Sequence, residues 1–503
     1  MHPESPRQPG ILLLFLFLLA CYCVTTYGFL SNADNESVFQ TAKSIVENRT
    51  FALGQDPAAE RIIKSEFTVH QGRDGRYYSW FGIFHATAWA PFYAGGQFLQ
   101  SQVDWTSSLT SSANRELQIW PRLATTLSNA VITAWTGAVI ASLLHRLGYR
   151  LQTALATGLI FGLGTIAWEY SRSAFGEPLV GLLLVLLLAN LWRARQDRSL
   201  IHITGAGLVL GLLLLTRSVM GLMLIPTLVY LLLRKPASWR AWAAWLLPFG
   251  LGVFLFGLSN FVRFGDPLET GYGAFGSLSY FQYPLSLGIY GLLLSPGKGL
   301  LVYSPILLLA LAGFGSFSHK HPNEAVFILL ASSLVLAVYA STSGWVGGWA
   351  WGPRYVVPLI GLWMLPLASF VEQHWRRRAL WLVVALCIAV QAFLLLAYYP
   401  AYLELATALG ISAQRHYLGL THLPILAQFQ WAWHNLTGLG TRPLPEFQLN
   451  LQTHLAQPLR HFFWVWFPPA RPLLLLPLGL LVASGLGLVS IFRRPTWTNP
   501  LRF

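Results

Sequence analysis

At 503 residues, 54% hydrophobic and 10% charged, the chain is too apolar for a soluble enzyme and reads as an all-α, polytopic membrane protein. Lysine and arginine outnumber acids 33 to 19, an excess that in such a chain records cytoplasmic anchoring and gives no nucleic-acid reading. Cys21, Cys23 and Cys387 lie in hydrophobic runs without metal or redox spacing, so neither a disulfide nor a metal site is expected from them.

A first hydrophobic span covers 11–30. The end of its apolar part, Leu19-Ala20-Cys21, resembles a lipoprotein cleavage site, but the apolar run continues and predicts an uncleaved anchor. Asp34 and Glu36 follow, opening an amphipathic helix. Val38, Ala42, Ile45 and Val46 fall on one side of it, with Lys43, Glu47 and Arg49 on the other. Such a helix is expected to lie along the membrane surface. An acid at the mouth of a span is what a membrane-embedded transferase needs to deprotonate an acceptor hydroxyl. The plainer reading is a helix start capped by Asp34 or Asn35.

Further spans are expected near 121–144, 151–169, 175–192, 201–216, 218–233, 241–262, 300–317, 325–342, 355–371, 379–398 and 472–492, about 12 in all. The run 81–99 is hydrophobic but broken by Gly82, His85, Pro91, Gly95 and Gly96. Basic clusters follow alternate spans, at 145–150, 193–198, 234–240, 319–321, 376–378 and 493–494, and share one side only if 81–99 does not cross. That parity predicts a multi-pass protein of the plasma (inner) membrane with both termini cytoplasmic. It also leaves a long first outer loop, 31–120, carrying surface-lying helices. Residues 1–399 then form a membrane-embedded catalytic module, 400–471 an outer segment hugging the membrane, and 472–503 the last span and a cytoplasmic tail.

Several polar residues at the expected outer ends are candidates for chemistry. Glu177 opens a span, where the helix dipole favours an acid; an acid so near hydrocarbon also marks a functional site unless it is paired, with Arg172 as one partner. Arg217 sits between two apolar runs and suits an anion or a structural pair with Glu169 or Glu177. Lys298, in Gly297-Lys298-Gly299, is no nucleotide P-loop, because glycine follows where a magnesium-holding hydroxyl belongs; it remains a candidate phosphate contact. Trp345, Trp349, Trp351 and Arg354 lie among glycines. They read either as an interfacial belt or as a lid of stacking rings with Arg354 aimed at a phosphate. Asp266 and Glu269 have turn chemistry, with Asp266 a candidate substrate contact.

Three strings carry a family resemblance: Asp34 followed by Ala42-Lys43-Ser44, Gly75-Arg76-Tyr77-Tyr78-Ser79, and Ser173-Ala174-Phe175-Gly176-Glu177-Pro178. Over roughly residues 11–240 the chain resembles the type-C glycosyltransferase superfamily, in the branch of protein mannosyltransferases and lipid A aminoarabinose transferases. The resemblance implies transfer of a sugar from a polyprenyl-phosphate carrier to a hydroxyl of a glycan, lipid or protein acceptor on the outer face, among membrane lipids. It implies Asp34 in catalysis and a second acid at Glu177. The residues themselves make Glu36 the runner-up for the base, Arg354, Arg217 and Lys298 the candidate donor-phosphate contacts, and Tyr78, Trp345, Trp351 and Asp266 the candidate substrate contacts. No organic cofactor is implied, and a divalent metal is left open. Two features depart from the branch. Trp80-Phe81-Gly82 stands where a phosphate-binding lysine precedes a proline pair, and no large folded domain follows the last span. The alternatives are a secondary transporter or lipid flippase, which predicts charges near mid-membrane and paired broken helices, and a ligase of polyprenyl-diphosphate-linked polymers.

Overall fold

The computed structural model describes residues 7–30, 32–65, 67–102, 118–233, 238–348, 350–399, 403, 417–419, 423–437 and 461–493. Apart from one short hairpin, the regular structure there is helical. The helices are α1 (Arg7–Thr25), α2 (Ala33–Asn48), α3 (Pro57–Ser65), α4 (Ile83–Gln102), α5 (Ile119–Arg146), α6 (Leu151–Leu163), α7 (Ala167–Arg172), α8 (Glu177–Asp197) and α9 (Leu200–Thr216). A 3-10 turn, Ser218–Met223, leads into α10 (Leu224–Leu232), then α11 (Trp239–Phe264), α12 (Leu285–Leu293), α13 (Leu300–Tyr303), α14 (Leu307–Lys320) and α15 (Pro322–Ala340). A later 3-10 turn, Arg354–Leu359, opens α16 (Ile360–His374). The described chain ends with α17 (Arg378–Leu394), α18 (Pro424–Thr437), α19 (Phe463–Trp466) and α20 (Leu475–Arg493).

Among the described residues, six helices are long and apolar enough to cross a membrane, and five shorter ones are apolar as well. The protein is a multi-pass, all-α membrane protein, and each expected span coincides with a helix or a broken pair of helices. Two kinds of span are visible. α5, α8 and the 354–374 helix are mostly buried by other helices, whereas α11 and α20 are mostly exposed. On α11 the exposed positions include Leu247, Leu251, Phe254, Phe261 and Val262, an apolar surface that fits hydrocarbon and not water.

Packing follows small residues. Leu18 fits against Gly137 and Gly162, and Tyr22 donates to the Gly162 carbonyl at 3.1 Å, which locks α1 to α5 and α6. α1 and α20 run antiparallel: Gly10 faces Ile491, Leu13 faces Gly487 and Phe17 faces Gly485. The start of α1 and the end of α20 therefore lie at the same end of the bundle. Ion pairs between Arg150 and Glu372 and between Arg195 and Glu324 gather other basic helix ends.

The segment after α1 forms a cap at the opposite end. Strands β1 (Val69–Gln71) and β2 (Tyr77–Ser79) pair antiparallel, with Val69 opposite Ser79. Helix α2 does not spend its apolar face on a membrane surface as its pattern suggested. Val38, Phe39 and Ala42 pack on Ala86, Trp89 and Tyr93 of α4, giving the cap a core of its own. Much of the expected outer segment 400–471 falls outside the described residues, as does Trp349.

Candidate active site

Four charged side chains from four distant stretches meet where the cap sits on the bundle. Asn32, in extended backbone, caps α2 by accepting from the Asn35 N–H at 3.0 Å. The cap is therefore neither Asp34 nor Asn35, and the Asp34 carboxylate is left free to point inward. Glu177 begins α8. Asn129 of α5 fixes the turn before it, donating to the Ser173 and Phe175 carbonyls, both at 2.7 Å. Arg217 ends α9, where Gly82 packs directly on the backbone of Leu215 and Thr216; any side chain at Gly82 would push the cap away. Arg354 opens the 3-10 turn before α16.

Arg354 joins the two acids. Its Nη1 donates to Asp34 Oδ2, and its Nε donates to Glu177 Oε1 at 2.6 Å. Arg217 Nη2 donates to the same Glu177 oxygen, and its Nη1 donates to the Tyr339 hydroxyl at 3.3 Å. Aromatic rings wall the guanidinium groups: Phe175 lies 4.4 Å from Arg354, and Tyr355 stacks on Tyr339 at 4.3 Å. Two carboxylates and two guanidinium groups make the cluster formally neutral. Burial of single ions here would cost several kcal/mol each, so the alternation of charge is what makes the arrangement tolerable. Glu177 is fully buried, while the Asp34 side chain keeps 17% of its surface exposed.

A cavity touches the cluster, lined by Asp34, Val38, Phe81, His85, Arg217 and Arg354, with room for little more than a water molecule. His85 was read in the sequence only as an interruption of an apolar run. Its ring lies against Gly176, where a Cβ would come within 3.0 Å of Nδ1, and its buried Nε2 has no partner among the described residues. Burial pushes its pKa down to about 3, partly offset by the Glu177 carboxylate, so the ring is neutral. Nothing in the local sequence distinguished it, because its neighbours come from the turn before α8 and from the end of α9.

The remaining candidates lie elsewhere. Glu36 is held by Arg122 of α5, whose Nη2 donates at 2.7 Å, and it also accepts from Gln40. Arg172 does not reach Glu177; it sits 3.8 Å from Glu169 and over the Tyr27 ring at 4.0 Å. Lys298 is fully buried and donates to the Gly348 and Ala350 carbonyls, which pins the glycine-rich segment rather than facing the cavity. Burial pushes its ammonium down to about 7, with Arg354 adding to the effect. Trp345 and Trp351 are buried, so they form neither a lipid-facing belt nor an open lid in this state. Trp345 fills the space over Gly291, and Trp351 packs on Tyr303 and Tyr399. Tyr78 is buried on β2 and donates to Asp74 at 2.9 Å. Asp266 is exposed and caps its own turn through the Leu268 N–H. Among the described residues, no group of three or more histidine, cysteine or acidic side chains is placed to hold a metal ion.

Among solved structures the chain is similar to ArnT from Cupriavidus metallidurans bound to undecaprenyl phosphate, with 13% identity over 85% of this chain and 69% of that one, at a TM-score of 0.49. It is similar also to the same protein in the apo state, with 14% identity over 84% and 68%, at a TM-score of 0.46. No protein-family model and no curated protein matches the chain. At these values the likeness carries no statement about substrate, and the chemistry rests on the side chains just described.

Proposed function

We propose that this protein is an integral-membrane glycosyltransferase that moves a sugar from a polyprenyl-phosphate carrier to an acceptor hydroxyl. The observation that carries the reading is the joining of Asp34 and Glu177 through Arg354 beside a cavity at one end of the bundle. Asp34 accepts the proton of the acceptor hydroxyl, whose oxygen attacks the anomeric carbon. The bond from that carbon to the phosphate oxygen breaks, and its electrons leave with the phosphate. Arg354 and Arg217 meet the charge that develops there; a guanidinium fork suits a phosphate, and prearranged donors in a water-poor site stabilise such charge without reorganising. Glu177 holds both guanidinium groups in position. His85, a neutral ring on the wall of the same cavity, is assigned a contact to the bound substrate.

Charge supports an outer-face site. Arg146, Arg195, Lys320, Arg378 and Arg493 lie at or near helix ends away from the cluster, and by the positive-inside rule this supports cytoplasmic ends there and a site at the outer face. A transporter would instead hold its charges near mid-membrane between matching halves. The test is incubation of purified protein with labelled polyprenyl-phosphate sugars and acceptor, following release of the free lipid phosphate. Release that depends on Asp34 is expected. No release with any donor, together with substrate-dependent flux in proteoliposomes, would overturn the reading in favour of a transporter.

A further inference from the structure

Asp34 and Glu177 are not equivalent anions. Glu177 is fully buried at a helix start and accepts from both Arg354 and Arg217. Asp34 is partly exposed, lies on the cap rather than on the bundle, and among the described residues its carboxylate accepts from Arg354 alone. An oxygen already accepting from a guanidinium does not offer that lone pair to an acceptor's proton. The cavity has room for little more than a water, which favours a phosphate taking the place of Asp34 over one added beside it.

We infer that Asp34 occupies, in the resting protein, the place of the donor phosphate on Arg354, and that arrival of the lipid phosphate displaces it and thereby frees it to act as the base. The inference rests on the glycosyltransferase reading and adds its order of events. Charge supports the exchange. A sugar phosphodiester carries one negative charge, as Asp34 does, so the cluster of Glu177, Arg217 and Arg354 keeps the same balance when one replaces the other. The balance holds through the reaction as well. The acceptor proton passes to Asp34, which becomes neutral, while the carbon–oxygen bond breaks and the departing lipid phosphate gains the second charge. With no donor bound, the base stays on Arg354 and does not activate water.

The exchange makes a sign-reversed prediction: removing the acid that serves as base should tighten binding of the lipid phosphate. The probe is polyprenyl phosphate itself, titrated into purified wild type, Asp34→Asn and Glu36→Gln, with binding read by native mass spectrometry. Asp34→Asn should bind at least about tenfold more tightly than wild type, because the competing internal state is lost. Glu36→Gln, which removes a carboxylate from the same helical turn, should change affinity far less. If wild type binds and Asp34→Asn binds equally or more weakly, the exchange is wrong while the carrier reading stands. If neither binds, the carrier reading fails and the inference with it. A second measurement needs no variant. Carbodiimide labelling of Asp34 in wild type, read by peptide mass, should accelerate when polyprenyl phosphate is added; unchanged or slower labelling overturns the exchange.

Discussion

Single side chains separate catalysis from support. Asp34→Asn removes the base but keeps the shape of the residue, and transfer should fall by about 10²-fold or more with the protein still folded, measured as initial rate per folded molecule. Glu36→Gln should act differently. It strands the mostly buried Arg122 guanidinium, so the expected loss is in thermal stability, on the order of 1–3 kcal/mol, with turnover of the surviving fold largely kept. Equal loss of turnover in both variants would reverse the assignment. Lys298 gives a pH prediction. Its pKa is about 7 in the fold against an ordinary value of 10.5, so the unfolded chain binds more protons between these limits and stability rises with pH there. The contribution is complete above the unfolded value and is lost as the pH falls towards 7, at up to about 1.4 kcal/mol per pH unit. The neutral amine still donates to the Gly348 and Ala350 carbonyls. Thermal unfolding from pH 7 to 10 should therefore show wild type gaining relative to Lys298→Met; parallel curves would contradict the buried-lysine account.

Among the helices, close crossings and a broken apolar run decide the layout. α9 and α11 cross where Gly211 meets Gly252, and a Cβ at Gly252 would stand 2.5 Å from the Gly211 Cα. Gly252→Leu must separate two helices, and α9 carries Arg217 at its end. A loss of about 1–3 kcal/mol is expected, visible as a lowered unfolding temperature, together with weakened lipid-phosphate binding. Unchanged stability would mean that the helices part freely. Helix α4 poses the topological question. It packs on α2 and on the start of α5, where Gly96 lies against Pro121, and we propose that it stays on the outer side without crossing. Single cysteines at Ser101 and Ser142, tested with a membrane-impermeant thiol reagent, should be reached from opposite sides. Labelling of both from one side would remove this arrangement.

For the whole molecule, the antiparallel pairing of α1 with α20 puts the two helix ends together, and reporters fused at the N- and C-termini should both read cytoplasmic. How much of this was legible in the chain depends on the range of the interaction. Hydrophobic length and the parity of basic clusters are summed over a single segment at a time, so the helical membrane class and the positions of the spans could be read directly. Asp34, Glu177, Arg217 and Arg354 stood out one by one, because a charge beside hydrocarbon is costly wherever it occurs. A shared cavity for the two acids and a pairing of Arg217 with Glu177 were among the readings the chain allowed, but their joining through Arg354 was not legible: it depends on contacts more than 170 residues apart in sequence. The same limit hid His85, which looked like an interruption, and Arg122, which holds Glu36. It misled over Trp345, Trp351 and Lys298, whose glycine-rich surroundings suggested an open, ligand-facing loop until packing buried them. The sequence by itself determined which segments enter the membrane and which ionisable groups stand at their ends, since hydrocarbon acts on each segment alone. Only the tertiary structure decided which of those charges neutralise one another, because burial and partnership belong to the packed bundle and not to any one of its helices.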